Sequence, residues 1–548
     1  MKKSLFLFVI IFLMLSLIFA PSQSVFSGPT GEYSTFTLPE ILKTAYTDIP
    51  AEELAFIENS MNLTHYDENK AMNGLTIFQA QRVNGTNTRN ADPYLMIVDM
   101  AGNIRHVSTG GGDPELINST TVMYRETDIE GIAFWNMESN VTEPIPLNYS
   151  FHHDYEYNPL TDTFLLLGAA DYGEWDGMPI HHDEIYEVDR QNNTLWYWNG
   201  SIHIPWNPSQ QHNDTSRGNW DWTHSNSIFW DTEHDIVYLN ARHVDTFYAI
   251  DMKTDAILWS IGRLGSLSCY NKAGQQKETL FYHAHAVERI SSNRFILFDN
   301  DLHNFSRANP DVGVSRLVEI EVNETAQTAR EVWSWTPPGD YFCRPWGDAD
   351  RLPNGNTLGT FGWGLGSMAA EGVDHPLYYT EVTPAGDIVW QLAFNRSSAE
   401  DLSWRGYRAE RYFEQPLIDL VKTSIEIEEG DNATIELSTW NSYRERYHSN
   451  AVLKVIDDNT EKTAKNFQFL PYWQEKTLFV SVPALLVGTH NLSVVIENAD
   501  GITAIDYVLV IVQGKTSESE DTGSFGITIA SILAIGCVSV LIRRRKSN

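Results

Sequence analysis

The fold is read from Thr246–Ile261, "TFYAIDMKTDAILWSI". A β-prone run ends in an acid, a polar turn follows, and a second β-prone run closes on Trp259. Aromatic and β-branched runs separated by turn residues read as a hairpin. The unit returns as "EIYEVDRQNNTLWYW" (184–198), "SRLVEIEVNETAQTAREVWSW" (315–335) and "LYYTEVTPAGDIVWQL" (377–392). It recurs without its tryptophan as "YLMIVDMAGNIRHV" (94–107). Trp196, Trp259, Trp333 and Trp390 therefore mark a period of about 60 to 75 residues, wider than the roughly 40 to 50 of common propeller repeats. Radial repetition of four-stranded sheets is how such a chain buries its faces and protects its edges. About 330 residues at this period give six blades, with "TVMYRETDIEGIAFWNM" (121–137) supplying part of the blade that lacks the signature. The expected fold is all-β: a six-bladed β-propeller over residues 70–415.

Residues 420–513 have a different texture. Short runs such as "ATIELSTW", "AVLKVIDD" and "YVLVIVQ" alternate apolar and polar residues between close-spaced turns. That predicts an immunoglobulin-like β-sandwich. It would space or steady the head, or bind a carbohydrate or protein partner.

Both ends carry membrane signals. "MKKSLFLFVIIFLMLSLIFA" has a basic start and an apolar stretch from Leu5 to Ala20, read as a signal peptide over 1–22, with an uncleaved anchor as the alternative. A polar linker (514–524) leads to an apolar run (525–542) that can just span a bilayer as a transmembrane helix, followed by a cytoplasmic basic tail (543–548). The expected placement is the cell membrane, single-pass, with an extracellular, glycosylated head. Sequons at Asn62, Asn84, Asn118, Asn140, Asn148, Asn199, Asn432 and Asn491 agree with it. Of three cysteines, Cys537 lies in the membrane run, and Cys269 and Cys343 could form one disulfide. A net charge of −34 argues against nucleic acid as a partner, because little is available to displace counterions from phosphates.

A histidine series runs in phase with the hairpins. His153 precedes the strand around Phe164–Leu167, His224 precedes Ile236–Leu239, and His285 precedes Phe295–Phe298. Gly347 holds the fourth place, in "GDADRLPNGNT". Equal phase in a propeller means equal height around the axis, so the three imidazoles should converge at one mouth of the channel. Three histidines can bind zinc, and that is the rival reading. Against it stand Arg242 and Asn226, which suit an oxyanion better than a cation. No metal is expected. Trp222 and Trp346 are candidates to stack on an aromatic substrate.

The motifs "HHDYEY", "DWTHSNSIFW", "LNARHVDTFYAIDMKTDAILWSIG", "HAVERISSNRFILFDND" and "DADRLPNGNT" together resemble the arylsulfotransferase (arylsulfate sulfotransferase) family over roughly residues 70 to 400. The resemblance implies a six-bladed propeller that moves a sulfuryl group from an aryl sulfate donor to a phenolic acceptor, through a transiently sulfurylated histidine and without a nucleotide donor or other cofactor. Carried over by motif, the nucleophile is His285, with His283 competing. His224 and Asn226 come from "DWTHSN", Arg242 from "ARH", and His153 from the double histidine, with His152 as its substitute. His153 or His224 would move the proton. An unprotonated nucleophile implies activity that falls as pH drops toward about 6.5. A propeller that only binds sulfated ligands or glycans, and a sulfatase-like hydrolase, are the alternatives.

Overall fold

The structure is a computed structural model that describes residues 46–47, 49–84, 91–126, 129–209, 215, 217–303, 313–339, 341–362, 376–395 and 402–515. The expected signal peptide, transmembrane run, tail and nearly all of the linker lie outside the described residues. Among the described residues, no helix is long and apolar enough to cross a membrane.

Among the described residues the chain is all-β, with eight sheets. Six of them, numbered I to VI here, occupy residues 46–412. Sheets II (Gly112–Asn118 to Val141–Pro146), III (Phe151–Asn158 to Thr194–Asn199) and IV (Ser225–Asp231 to Ile257–Gly262) are antiparallel meanders in chain order. Sheet V runs from His285–Ser291 to Thr328–Trp335, with short strands added at its rim. Sheets VI and I are completed from opposite ends of the chain. Met61–Tyr66 pairs with Ile388–Phe394 at the outside of sheet VI, and Leu402–Tyr412 pairs with Leu75–Asn84 at the inside of sheet I. Strand Met61–Tyr66 precedes the expected propeller start at residue 70.

The inner strands contact one another in order from sheet III through IV, V and VI to I, and from I to II. Sheets II and III share the cluster of Met123, Ile132, Phe134, Phe151 and Phe164. The six sheets thus form a closed circuit, with apolar cores between neighbours.

The repeat that announced the hairpins also clips sheet to sheet. The acid ending the first run caps the turn: Asp189 Oδ1 accepts from the Gln191 and Asn193 amides, Asp99 Oδ1 from those of Ala101 and Asn103, and Asp251 Oδ1 from that of Lys253. The tryptophan then reaches the capped turn of the next sheet. Trp198 Nε1 donates to Asp255 O (3.1 Å), Trp335 Nε1 to Gly386 O (3.0 Å) and Trp390 Nε1 to Met100 O (2.9 Å).

The remaining two sheets close over one core that includes Leu437, Leu453, Val480, Val494 and Val510. Their strands keep the expected alternation: Ala504, Val508, Val510 and Val512 are buried along Thr503–Gln513. Cys269 and Cys343 are both buried, and the expected disulfide between them is not formed.

Candidate active site

In five of the six sheets the pairing of the inner strand slips near the histidine phase; the inner strand of sheet VI, Asp348–Arg351, pairs without a shift. Register shifts fall at Gly112/Glu115, Phe151/Tyr155, Ser225/Ser227, His285/Glu288 and Gly406/Ala409. Such bulges re-aim side chains. His153 (φ 57°) and His224 (φ 43°) sit in the left-handed region. The fourth place must be glycine: Gly347 has φ 115°, and a Cβ there would lie 2.3 Å from the Phe298 ring.

The histidines do converge. The rings of His153 and His224 are 5.0 Å apart, and His224 stacks on His243 at 4.5 Å. His224 and Arg242 both act electrostatically on His153 and on His285, and His285 acts on His153. Arg242 is buried in the short 3₁₀ turn Arg242–Val244 at the top of sheet IV.

Hydrogen bonding fixes the state of His285. The Asn300 amide nitrogen donates to Cys343 O (2.7 Å) and Trp346 O (2.8 Å), so its oxygen faces His285. His285 Nδ1 must therefore donate to Asn300 Oδ1 (2.6 Å), which leaves Nε2 unprotonated. That nitrogen accepts the Trp346 backbone N–H at 3.1 Å, as the same tautomer requires. Burial, then the Arg242 charge, hold the His285 pKa well below the usual histidine value. The acid limb of activity should consequently lie below pH 6.5 rather than at it, a correction to the sequence expectation.

His224 Nδ1 faces Asp221 Oδ2 at 2.5 Å. Burial raises the Asp221 carboxyl, but the charge and hydrogen bond of His224 outweigh it and hold the group well below the ordinary range. The pair is thus an imidazole backed by a carboxylate, with Nε2 forward. His152 Nδ1 lies 2.8 Å from His153 Nδ1, and its Nε2 is 3.4 Å from Asp183. Asp183 also accepts from the Ser225 amide (2.6 Å) and the Thr223 hydroxyl (2.5 Å), so it joins sheet III to the "DWTHSN" turn.

Other candidates are placed differently. His283 is fully buried, with Nδ1 3.2 Å from Leu302 O and its ring 5.4 Å from that of His243. Asn226 Nδ2 donates to Ala284 O (2.9 Å) while its oxygen accepts from Asn240 (2.7 Å), so it clamps the segment leading into His285. Trp222 does not face a substrate. It is fully buried, bonded through Nε1 to Ile204 O, and packed edge-on to Trp206. Asp221, His224 and His243 offer ligand atoms within 4.8 Å of one another. The parallel stacking of the two rings and the Asp221–His224 hydrogen bond read as positioning rather than as a metal centre.

Sequence reasoning passed over Asp221 and Tyr407. Tyr407 takes the histidine's place on sheet I, edge-on to His285 at 5.7 Å, with its hydroxyl on Asn226 O (2.8 Å). Asp221 was findable, since it stands three residues before His224 in a quoted motif.

A family model described as arylsulfotransferase (ASST) matches residues 51–405. The chain belongs to the arylsulfotransferase family. Membership supports arylsulfotransferase chemistry in general. No curated protein matches the chain in sequence. Solved structures similar to it include the extracellular domain of a hybrid two-component system from B. thetaiotaomicron (9% identity, TM-score 0.26) and a 6-phosphogluconolactonase from Bacteroides uniformis (7% identity, TM-score 0.31). The first match covers 83% of this chain and 58% of that one; the second covers 73% and 99%. The Kuenenia stuttgartiensis hydrazine synthase is similar at 10% identity and a TM-score of 0.22, over 64% of each chain. At these scores the likenesses carry no argument about this arylsulfotransferase.

Proposed function

We propose that the six sheets are the blades of a propeller whose histidine end is the active site of an arylsulfate sulfotransferase with ping-pong kinetics. The observation that carries this is the tautomer of His285: a buried neutral imidazole with Nδ1–H tied to Asn300 and an unprotonated Nε2, whose lone pair passes from the Trp346 N–H to the donor's sulfur. Nε2 attacks the donor's sulfur, the S–O bond to the phenol breaks, and a sulfohistidine forms. His224, as an imidazolium stabilised by Asp221, gives its Nε2 proton to the departing phenolate. Neutral His224 then takes the proton of the acceptor phenol, whose oxygen attacks sulfur as the S–N bond breaks. Arg242 and His153 face the sulfuryl oxygens, where charge accumulates as it does in phosphoryl transfer. His152 sets the proton on His153.

Domain division follows the same reading: a propeller over 70–415 with its flanking strands, and an immunoglobulin-like sandwich over 420–513. A signal peptide and a C-terminal membrane anchor would place both outside the cell.

The test is release of para-nitrophenol from its sulfate ester, with and without added phenol. Release that depends on phenol is expected. Equal release without an acceptor means a hydrolase, and no release means a binding protein; either would overturn the proposal.

A further inference from the structure

The inner strands carry a second set of polar residues. Three positions beyond the histidine phase stand Glu115, Glu156, Glu288, Asp350 and Glu410, all on the channel strands of sheets II, III, V, VI and I. At about 3.3 Å per residue they form a layer roughly 10 Å beneath the histidines. Carboxylates so placed repel one another and need cations.

The cations come from the sandwich. The segment Asn441–Ser449, "NSYRERYHS", joins strand Ala433–Trp440 of one sandwich sheet to Asn450–Asp457 of the other. Arg444 pairs with Glu288 and donates to Asp350 Oδ1 at 2.9 Å. Arg446 pairs with Glu156 and, through Nε, with Glu115 at 3.1 Å. The Arg446 guanidinium also lies 5.5 Å from the Phe229 ring of sheet IV. The neighbouring Tyr443 is buried among Leu75, Ile77, Leu116 and Tyr412 of sheets I and II. The Ser442 carbonyl accepts from the Phe413 amide, just past the end of sheet I. One nine-residue loop therefore touches all six sheets.

We propose that Arg444 and Arg446 are positioning residues for the reaction, and that the sandwich is a working part of the head rather than a stalk. Glu288 and Glu156 stand three residues after His285 and His153 on the same strands. Asp350 stands three after Gly347, next to the Trp346 amide that meets His285 Nε2. Holding these acids holds the spacing between imidazoles at the other end of the strands. A 1 Å displacement at a reacting centre costs up to about 100-fold in rate.

The experiment uses the full chain with Arg446→Met, Arg446→Lys and Arg444→Lys. Two readouts at 25 °C are compared with the melting curve: kcat and KM for para-nitrophenyl sulfate with phenol, and the rates at which diethyl pyrocarbonate modifies His153 and His285, mapped by peptide mass. The second readout needs no turnover, so it decides this inference even if the sulfotransferase reading fails. In folded Arg446→Met, kcat should fall by about 10- to 100-fold at nearly constant KM, and histidine modification should change at least threefold. Arg446→Lys should recover part of both, because it keeps the charge but not the fork. A folded variant that only melts earlier, with unchanged kcat and histidine reactivity, overturns the proposal. If Arg446→Met does not fold, the two lysine variants decide it by the same criteria.

Discussion

The two ends of the inner strands use polar residues in opposite ways. At the histidine end, His285 and His224 are each held from behind through Nδ1, which leaves Nε2 forward. At the acid end, three residues along the same strands, side chains are tied into ion pairs with Arg444 and Arg446. Between them lies a layer in which Arg408 bonds Asp154 Oδ2 at 2.7 Å and the Ala409 amide meets Asp348. Three guanidiniums serve many more carboxyls there, and burial raises several of these, Asp113 to about 6 and Asp348 to about 7. One end is built with imidazoles anchored through Nδ1, the other with buried, closed ion pairs. A site for a small anion needs the first, and a rigid support for it needs the second.

The sharpest break in this comparison is His285→Ala. Turnover should be lost, by at least about 1,000-fold, in a head that melts as the parent does, because alanine removes the attacking nitrogen. Asp221→Asn comes next, at about 100-fold or more in kcat. An amide nitrogen at Nδ1 favours the wrong His224 tautomer and removes the charge that supports its imidazolium. Steady-state kinetics check both.

Asn300→Asp should act through pH. A carboxylate beside Nδ1 favours the imidazolium, so the acid limb of kcat/KM should move up from its position below 6.5, with about tenfold lost at pH 6. The layer between the two ends answers with stability instead. The Asp348 carboxyl is raised in the fold, so its contribution is complete below its unfolded pKa near 4 and is lost as pH rises through about 7. Asp348→Asn removes that dependence. Its Tm relative to the parent should climb between pH 4 and pH 7 and level off above. Smallest in effect on turnover is Trp390→Phe, which breaks the clip to Met100 O: about 1–3 kcal/mol of stability by denaturant melts, with kcat unchanged.

Much of this was legible in the sequence because a propeller repeats its geometry in its numbering. The hairpin unit marked five sheets, sheet I without its tryptophan, and the phase of His153, His224 and His285 placed three imidazoles together before any coordinates. The same quotations held the acid layer unread: "HDYE", "HAVE" and "GDAD" each carry an acid three residues on. Sheet II hid because its inner strand, "GDPELIN", has glycine at the histidine phase. The inner strand of sheet I hid because it lies some 300 residues beyond its hairpin, with Tyr407 in the histidine's place. Trp222 misled because a tryptophan beside a site motif looks the same in sequence whether it faces a ligand or the core. The reach of Arg444 and Arg446 into the channel had no local signal, since it depends on how two domains dock.

The most direct measurement is the intact mass of the protein after mixing with para-nitrophenyl sulfate alone, followed by peptide mapping. The account requires a gain of one sulfuryl group on the peptide carrying His285, discharged when phenol is added. A protein that turns over donor and acceptor with no such adduct, or that carries it on His283, His153 or His224, would contradict the account.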